Sequence, residues 1–283
     1  MGIIATVVAV VGSSTASLSS DELATHSAAR RGAAGLWELA QHIDGHFLPY
    51  YAFMHLWLEF GQAEWWMRLP SALATGAAAV LVADLGRRLH SLPAGLPAAA
   101  VYVDRYLFAT VPAYALLAGL ALASLPRAAA LLAPAGLVAG AVPGHLGHLD
   151  LRRPDGRHEN FPRAVRIVEQ GARPGDAIVY GRSRLREGFL YYGGERLPDD
   201  VLLSGTAPLP DSFGYPERDD VAAAVGERRR VWVVWPGGPE AAARAGRVDA
   251  LVGAGFTRVK AWRTGRVPGM TVALYARRPP SGG

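Results

Sequence analysis

Apolar residues fall into long unbroken runs in the first half of this chain and into short, strand-length runs in the second. From Tyr106 to Pro126 no residue is charged, and from Ala128 to Leu149 only His145 and His148 interrupt the apolar character. A helix that crosses a bilayer needs about 20 apolar residues, so each run predicts a span. Pro112, Pro126, Pro134 and Pro143 punctuate them, as membrane helices tolerate where neighbours satisfy the freed backbone groups. The run Ser71 to Ala83 extends upstream through Trp65, Trp66 and Met67 and ends at Arg87 and Arg88; aromatics at one end and arginines at the other predict a third span with interfacial anchors. Tyr50 to Phe60 reads as a short aromatic helix entering the bilayer. Met1 to Val11 lacks the basic residues that open a signal peptide and reads as a shortened first membrane helix.

After Asp150 the pattern changes. Asp176–Tyr180, Val231–Trp235, Phe256–Trp262 and Met270–Ala276 have the length and composition of strands. Phe161–Gln170 and Pro239–Ala254 read as helices, and the turn Gly175-Asp176 leads into the first strand. The predicted fold is a membrane α-helical bundle over residues 1–150, with a first external loop at about 19–48, followed by an α/β domain over residues 151–283.

Charge follows the same division. Residues 1–150 hold 7 arginines against 9 carboxylates, and residues 151–283 hold the other 22 basic and 15 acidic side chains, so the halves carry −2 and +7. With 51% hydrophobic residues and a mean hydropathy of +0.15, the chain reads as a partner of the lipid bilayer. Its basic excess points to lipid phosphate and away from nucleic acid. The absence of cysteine excludes disulfides and thiolate metal sites.

Two polar clusters can carry chemistry. Asp21-Glu22 follow a serine-rich stretch; a carboxylate there can act as general base on an acceptor hydroxyl, or Ser19 or Ser20 can cap a helix whose first turn carries both acids. Asp44-Gly45-His46 precede Tyr50-Tyr51. Ionisable groups beside hydrocarbon tend to be functional, and the alternative is an interfacial belt of tyrosine and histidine. Arg105 opens the run from Tyr106, as a lipid-phosphate donor or a snorkelling anchor. His145 and His148 lie three apart, but neither Asp150 nor His158 and Glu159 supply a third ligand at a defined spacing, so no metal site is assigned. Neither Gly193-Gly194 nor Gly237-Gly238 makes a phosphate loop, and no serine stands in a nucleophile elbow.

Read in order, the stretch from Ser19 to Thr25, Asp44-Gly45-His46, Tyr50-Tyr51, His55-Leu56-Trp57, Phe60-Gly61 and Arg68-Leu69-Pro70-Ser71 resemble the front of bacterial membrane glycosyltransferases of the GT-C class. That class includes protein O-mannosyltransferases and related polyprenyl-phosphate-dependent enzymes. Arg105-Tyr106-Leu107 and the helix with Pro112 are similar to a late span of these enzymes, and the closing α/β domain resembles the tail of actinobacterial members. The resemblance implies transfer of a mannose-like sugar from a polyprenyl-phosphate donor to an extracytoplasmic acceptor, in a multi-pass protein of the cell membrane whose C-terminal domain is extracytoplasmic. It makes Asp21 the base with Glu22 beside it. It places Asp44, His46, Tyr50, Tyr51, Arg68 and Arg105 at the substrates and requires no defined cofactor. Phe47-Leu48 stand where many relatives have prolines. Between Leu89 and Val103 the chain passes directly from early spans to a late one, so it resembles an internally shortened member; a catalytically inactive, membrane-anchored binding or scaffold protein is the alternative.

Overall fold

The computed structural model describes residues 2–11, 13, 15–89, 150, 153, 156, 158–240, 246–266 and 268–277. Contacts divide the chain into two compact units, Met1–Ser14 with Ala63–Arg152 and Thr15–Gln62 with Arg153–Gly283. Residues 15–62 are therefore grouped with the C-terminal α/β sequence and not with the apolar run that precedes them.

In the first unit, α1 (Gly2–Val10) packs along α5 (Glu64–Leu89). The two helices touch where neither has a bulky side chain: a Cβ on Gly76 would lie 2.9 Å from the Gly2 carbonyl oxygen. Ile3, Leu73, Val80 and Leu81 remain exposed.

The membrane bundle expected over residues 1–150 is corrected here: no helix among the described residues is long and apolar enough to cross a membrane. With 9 residues in α1, the first predicted membrane helix is far short of the about 20 that a span needs. The third predicted span lies within α5, whose 26 residues include Glu64, Arg68, Asp84 and Arg88 and whose middle is largely alanine, glycine, serine and threonine. The helix predicted to enter the bilayer, α4 (Leu48–Leu58), has 11 residues. A multi-pass location in the cell membrane loses its support on the same finding. The runs 106–126 and 128–149 lie outside the described residues.

The second unit is built on a five-stranded sheet of order β2-β1-β3-β5-β4. The strands are β1 (Ala177–Tyr180), β2 (Asp199–Asp200), β3 (Arg230–Pro236), β4 (Phe256–Thr264) and β5 (Met270–Arg277). β1 pairs in parallel with β2 and β3, while β3–β5 and β5–β4 are antiparallel, with a bulge between Arg258 and Lys260. All of β1 and Val231–Trp235 of β3 are buried, as befits central strands covered on both faces.

Helices α6 (Phe161–Gly171) and α7 (Leu185–Gly193) cover one face. α6 begins where the Asn160 side chain accepts the Arg163 N–H at 3.0 Å, and it buries Phe161, Ala164, Val165 and Val168, one stripe at helical spacing. It ends on the sheet, where a Cβ on Gly171 would lie 2.6 Å from the Trp232 ring. Trp232 donates Nε1–H to Asp176 at 2.9 Å, so the large indole is buried with its polar atom satisfied. On the other face α8 (Val221–Val225) and α9 (Gly246–Gly253) bring Val221, Val225, Val248 and Leu251 into one core with Val179, Val231, Val233, Trp235 and Tyr275.

Residues 15–62 add a further layer through α2 (Ser20–Ala29), α3 (Ala33–His42) and α4. The Leu18 N–H binds the Tyr192 hydroxyl at 2.7 Å, Ser17 Oγ donates to the Glu159 carbonyl at 2.7 Å, and the Tyr191 hydroxyl donates to the Gln62 carbonyl at 2.5 Å. Leu18 is fully enclosed.

Candidate functional site

The cap at α2 separates the two adjacent carboxylates. Ser19 is extended and accepts the Glu22 N–H at 3.3 Å, while Glu22 Oε2 accepts the Ser19 N–H at 2.7 Å, a reciprocal capping box. Glu22 is thereby committed to the helix start. Asp21 lies in the same first turn, outside that box and exposed. The capping alternative posed by the sequence is present as drawn: Ser19 caps α2, and both acids stand in its first turn. Ser20 Oγ donates to Glu159 Oε2 at 2.5 Å and ties this end of α2 to the segment before α6.

Asp44, Tyr50 and Tyr51 come together with His46 near the start of α4. Asp44 has φ +53° and ψ +30°, a left-handed conformation that aspartate adopts more readily than most residues. The following Gly45 passes so close to Ala40 that a Cβ would lie 2.6 Å from the Ala40 carbonyl oxygen, which leaves room for glycine only. Tyr51 donates its hydroxyl to Asp44 Oδ2 at 3.2 Å. Burial, then the Asp44 charge and that hydrogen bond, push the Tyr51 phenol well above its ordinary range, so it stays protonated and keeps donating. The His46 ring lies on Phe47, with centroids 4.2 Å apart, and Tyr50 lies 6.3 Å from Tyr51. Tyr51 also packs with Ala28, Leu36 and Leu39, and Phe213 lies against the same cluster.

Asp21 is not part of this group. Tyr51 packs at Ala28, near the far end of α2, and at 1.5 Å per residue the helix carries that point about 10 Å from Asp21. Arg68 belongs to the other unit, where it donates to the Ser13 carbonyl. Arg105 lies outside the described residues. No group of three or more histidine, aspartate or glutamate side chains placed to hold a metal occurs among the described residues.

Two buried polar groups were not legible in the sequence. His26 Nδ1 and Glu187 Oε1 are 2.9 Å apart, and Tyr215 donates to Glu187 Oε2 at 3.2 Å. Burial, then the Glu187 charge and hydrogen bond, push the Tyr215 phenol up to about 12. Beside them Arg31, nearly enclosed, donates to the Leu209 carbonyl at 2.8 Å and to the Ser212 carbonyl at 2.5 Å. The second group centres on Arg186, which binds Asp200 at 2.5 Å and Glu217 at 2.6 Å, while Arg247 binds Glu217 at 2.5 Å and the Tyr180 carbonyl at 2.5 Å. The one local signal for either is Arg186-Glu187 set between Leu185 and Phe189, both buried positions of α7.

No family model, no curated protein and no solved structure matches this chain.

Proposed function

We propose that the chain transfers a mannose-like hexose from a polyprenyl-phosphate donor to a hydroxyl-bearing acceptor, with Asp21 as the general base. The ordered motifs between residues 19 and 71 support the reaction class through their resemblance to GT-C enzymes. The observation that carries the assignment of the base is exposure: of the two acids in the first turn of α2, Glu22 accepts the Ser19 N–H and Asp21 is the solvent-exposed one. In the reaction the acceptor O–H gives its proton to the Asp21 carboxylate as its oxygen bonds to the sugar C1, and the bond from C1 to the phosphate oxygen breaks to release polyprenyl phosphate. Such chemistry asks of the protein positioning, a base and cationic stabilisation of the leaving phosphate.

The test is to incubate the purified full chain with a synthetic mannosyl polyprenyl phosphate and follow release of polyprenyl phosphate. Asp21→Asn should lower the rate about 100-fold to 10,000-fold, the usual cost of losing a general base, with unchanged circular dichroism. Glu22→Gln should leave the rate within about twofold, because glutamine also serves at the third position of a capping box. No turnover by the parent chain would favour an inactive binding protein, and equal rates in both variants would return Asp21 to a role in helix polarity alone.

A further inference from the structure

We propose that the outer edge of β4 docks an extended, acidic segment of another protein as an added strand, held by the outward backbone groups of Ala261 and Arg263 and by the cations Arg258, Lys260 and Arg263. The inference goes beyond the transfer reaction above and does not depend on it.

The two edges of the sheet are unlike. β2 is two residues long, a length that offers little to pair with. β4, at the other edge, has nine residues, and among the described residues it pairs with β5 alone. Its bulge lies between Arg258 and Lys260, and residues 260–264 continue in unbroken register. Which backbone groups face the open side follows from β5. Arg277 gives its N–H to the Arg229 carbonyl at 2.9 Å, on the β3 side, and paired residues of an antiparallel ladder alternate between bonded and non-bonded. Val272, Leu274 and Ala276 therefore face β4. Their partners Trp262, Lys260 and Thr257 spend their backbone groups on β5, which turns the N–H and C=O of Ala261 and Arg263 outward.

The side chains of the strand set the chemistry of its partner. β4 carries Arg258, Lys260 and Arg263 and no carboxylate, and all three cations are exposed. Arg258 donates to the Pro239 carbonyl at 3.2 Å and Arg263 to the Pro268 carbonyl at 2.9 Å. Lys260, the one lysine of the chain, stands over the Trp262 ring at 5.0 Å. Among the described residues none of the three pairs with a carboxylate. Opposite charges on neighbouring strands stabilise a sheet and like charges oppose it. A second copy pairing β4 with β4 would set these cations against one another, whereas carboxylates on an incoming strand would meet them. The Trp262 ring is already stacked on Trp232, with centroids 5.7 Å apart, and bears the Lys260 ammonium, so both neighbours compete with a nucleic-acid base for it. Strand addition at an exposed edge takes its affinity from backbone hydrogen bonds and its specificity from side chains.

The experiment is fluorescence anisotropy on the full chain with a labelled peptide of alternating glutamate and threonine. Two control peptides replace glutamate by glutamine, or keep the glutamates and carry N-methyl groups at every residue. The parent should bind the glutamate peptide, and both controls should bind at least about tenfold more weakly. Lys260→Glu with Arg263→Glu turns two attractive pairs into repulsive ones and should weaken binding about tenfold. Ala261→Pro removes an outward N–H and takes none from the β5 ladder, so it should abolish binding with unchanged circular dichroism; should that variant unfold, the N-methylated peptide decides the same point on the parent. Equal binding of the N-methylated peptide would overturn the proposal by showing that charge alone holds the ligand. Tighter binding of an oligothymidine than of the peptide, a parent dimer in sedimentation that Ala261→Pro dissolves, or no binding by the parent would overturn it as well.

Discussion

Replacing Arg186 by methionine should cost about 3 kcal/mol of stability, at the low end of the 3–5 kcal/mol typical for breaking a buried ion pair from one side. Arg186 has no exposed surface and bridges Asp200 and Glu217. Methionine keeps most of the stem volume, so the loss is electrostatic. It falls at the low end because neither carboxylate is abandoned: Asp200 Oδ1 still accepts the N–H groups of Leu202 and Leu203 at 3.2 Å each, and Glu217 keeps Arg247. For a unit of this size the melting temperature should drop by roughly 10 °C. The effect should also depend on pH. Burial alone would raise the Glu217 pKa, but the hydrogen bonds and charges of Arg247 and Arg186 outweigh it and hold the carboxyl below its ordinary value of 4.5. A carboxyl lowered in the folded state contributes fully above its ordinary value and loses that contribution as pH falls through the lowered one. Urea unfolding of parent and Arg186→Met, followed by circular dichroism from neutral pH into acid, should therefore give two curves that converge on the acid side. A gap below about 1 kcal/mol at neutral pH, the range of exposed pairs, or a gap that persists unchanged into acid, would refute the reasoning.

Two further substitutions probe how α7 and α2 are seated. A Cβ on Gly188 would lie 2.3 Å from two carbons of the Phe161 ring, so Gly188→Ala should cost about 1–3 kcal/mol by overpacking; an unchanged thermal midpoint would show that the α6–α7 contact has slack. Ser19→Ala removes the cap of α2 and should cost about 1 kcal/mol, read as faster amide exchange in residues 20–23, and unaltered exchange there would mean the cap does not hold the helix start.

The four longer strands were legible because Ala177–Tyr180 and Val231–Trp235 are apolar throughout and are bounded by turn residues, and α6 was legible from its Phe161, Ala164, Val165, Val168 stripe. β2 was not, since two aspartates in extended pairing leave no hydrophobic period to read. The grouping of residues 15–62 with residues 153–283 was hidden for a different reason: His26 and Glu187 lie 161 positions apart, and a contact between buried polar groups at that separation imprints neither periodicity nor composition. The membrane reading of α4 failed on amphipathicity. Its Tyr51, Met54 and Leu58 are buried, while Phe53, Leu56 and Phe60 just beyond its end are exposed, so an element apolar on all sides looked like a bilayer helix although one side packs on α2 and α3.

The Asp44 backbone was beyond the reach of pattern altogether, and it is what makes this cluster more than a set of neighbours. A non-glycine residue in the left-handed region costs of the order of 1 kcal/mol and persists where the surroundings over-determine it. Here they do: Gly45 behind Asp44 is pressed against Ala40, the Phe47 N–H closes a turn on the Asp44 carbonyl at 2.8 Å, and Tyr51, one helical turn later and itself buried, holds the carboxylate from the front. The turn between α3 and α4 thus fixes the direction of the acid during folding, through the Ala40 contact behind it, the turn closed by Phe47 and the Tyr51 hydroxyl in front.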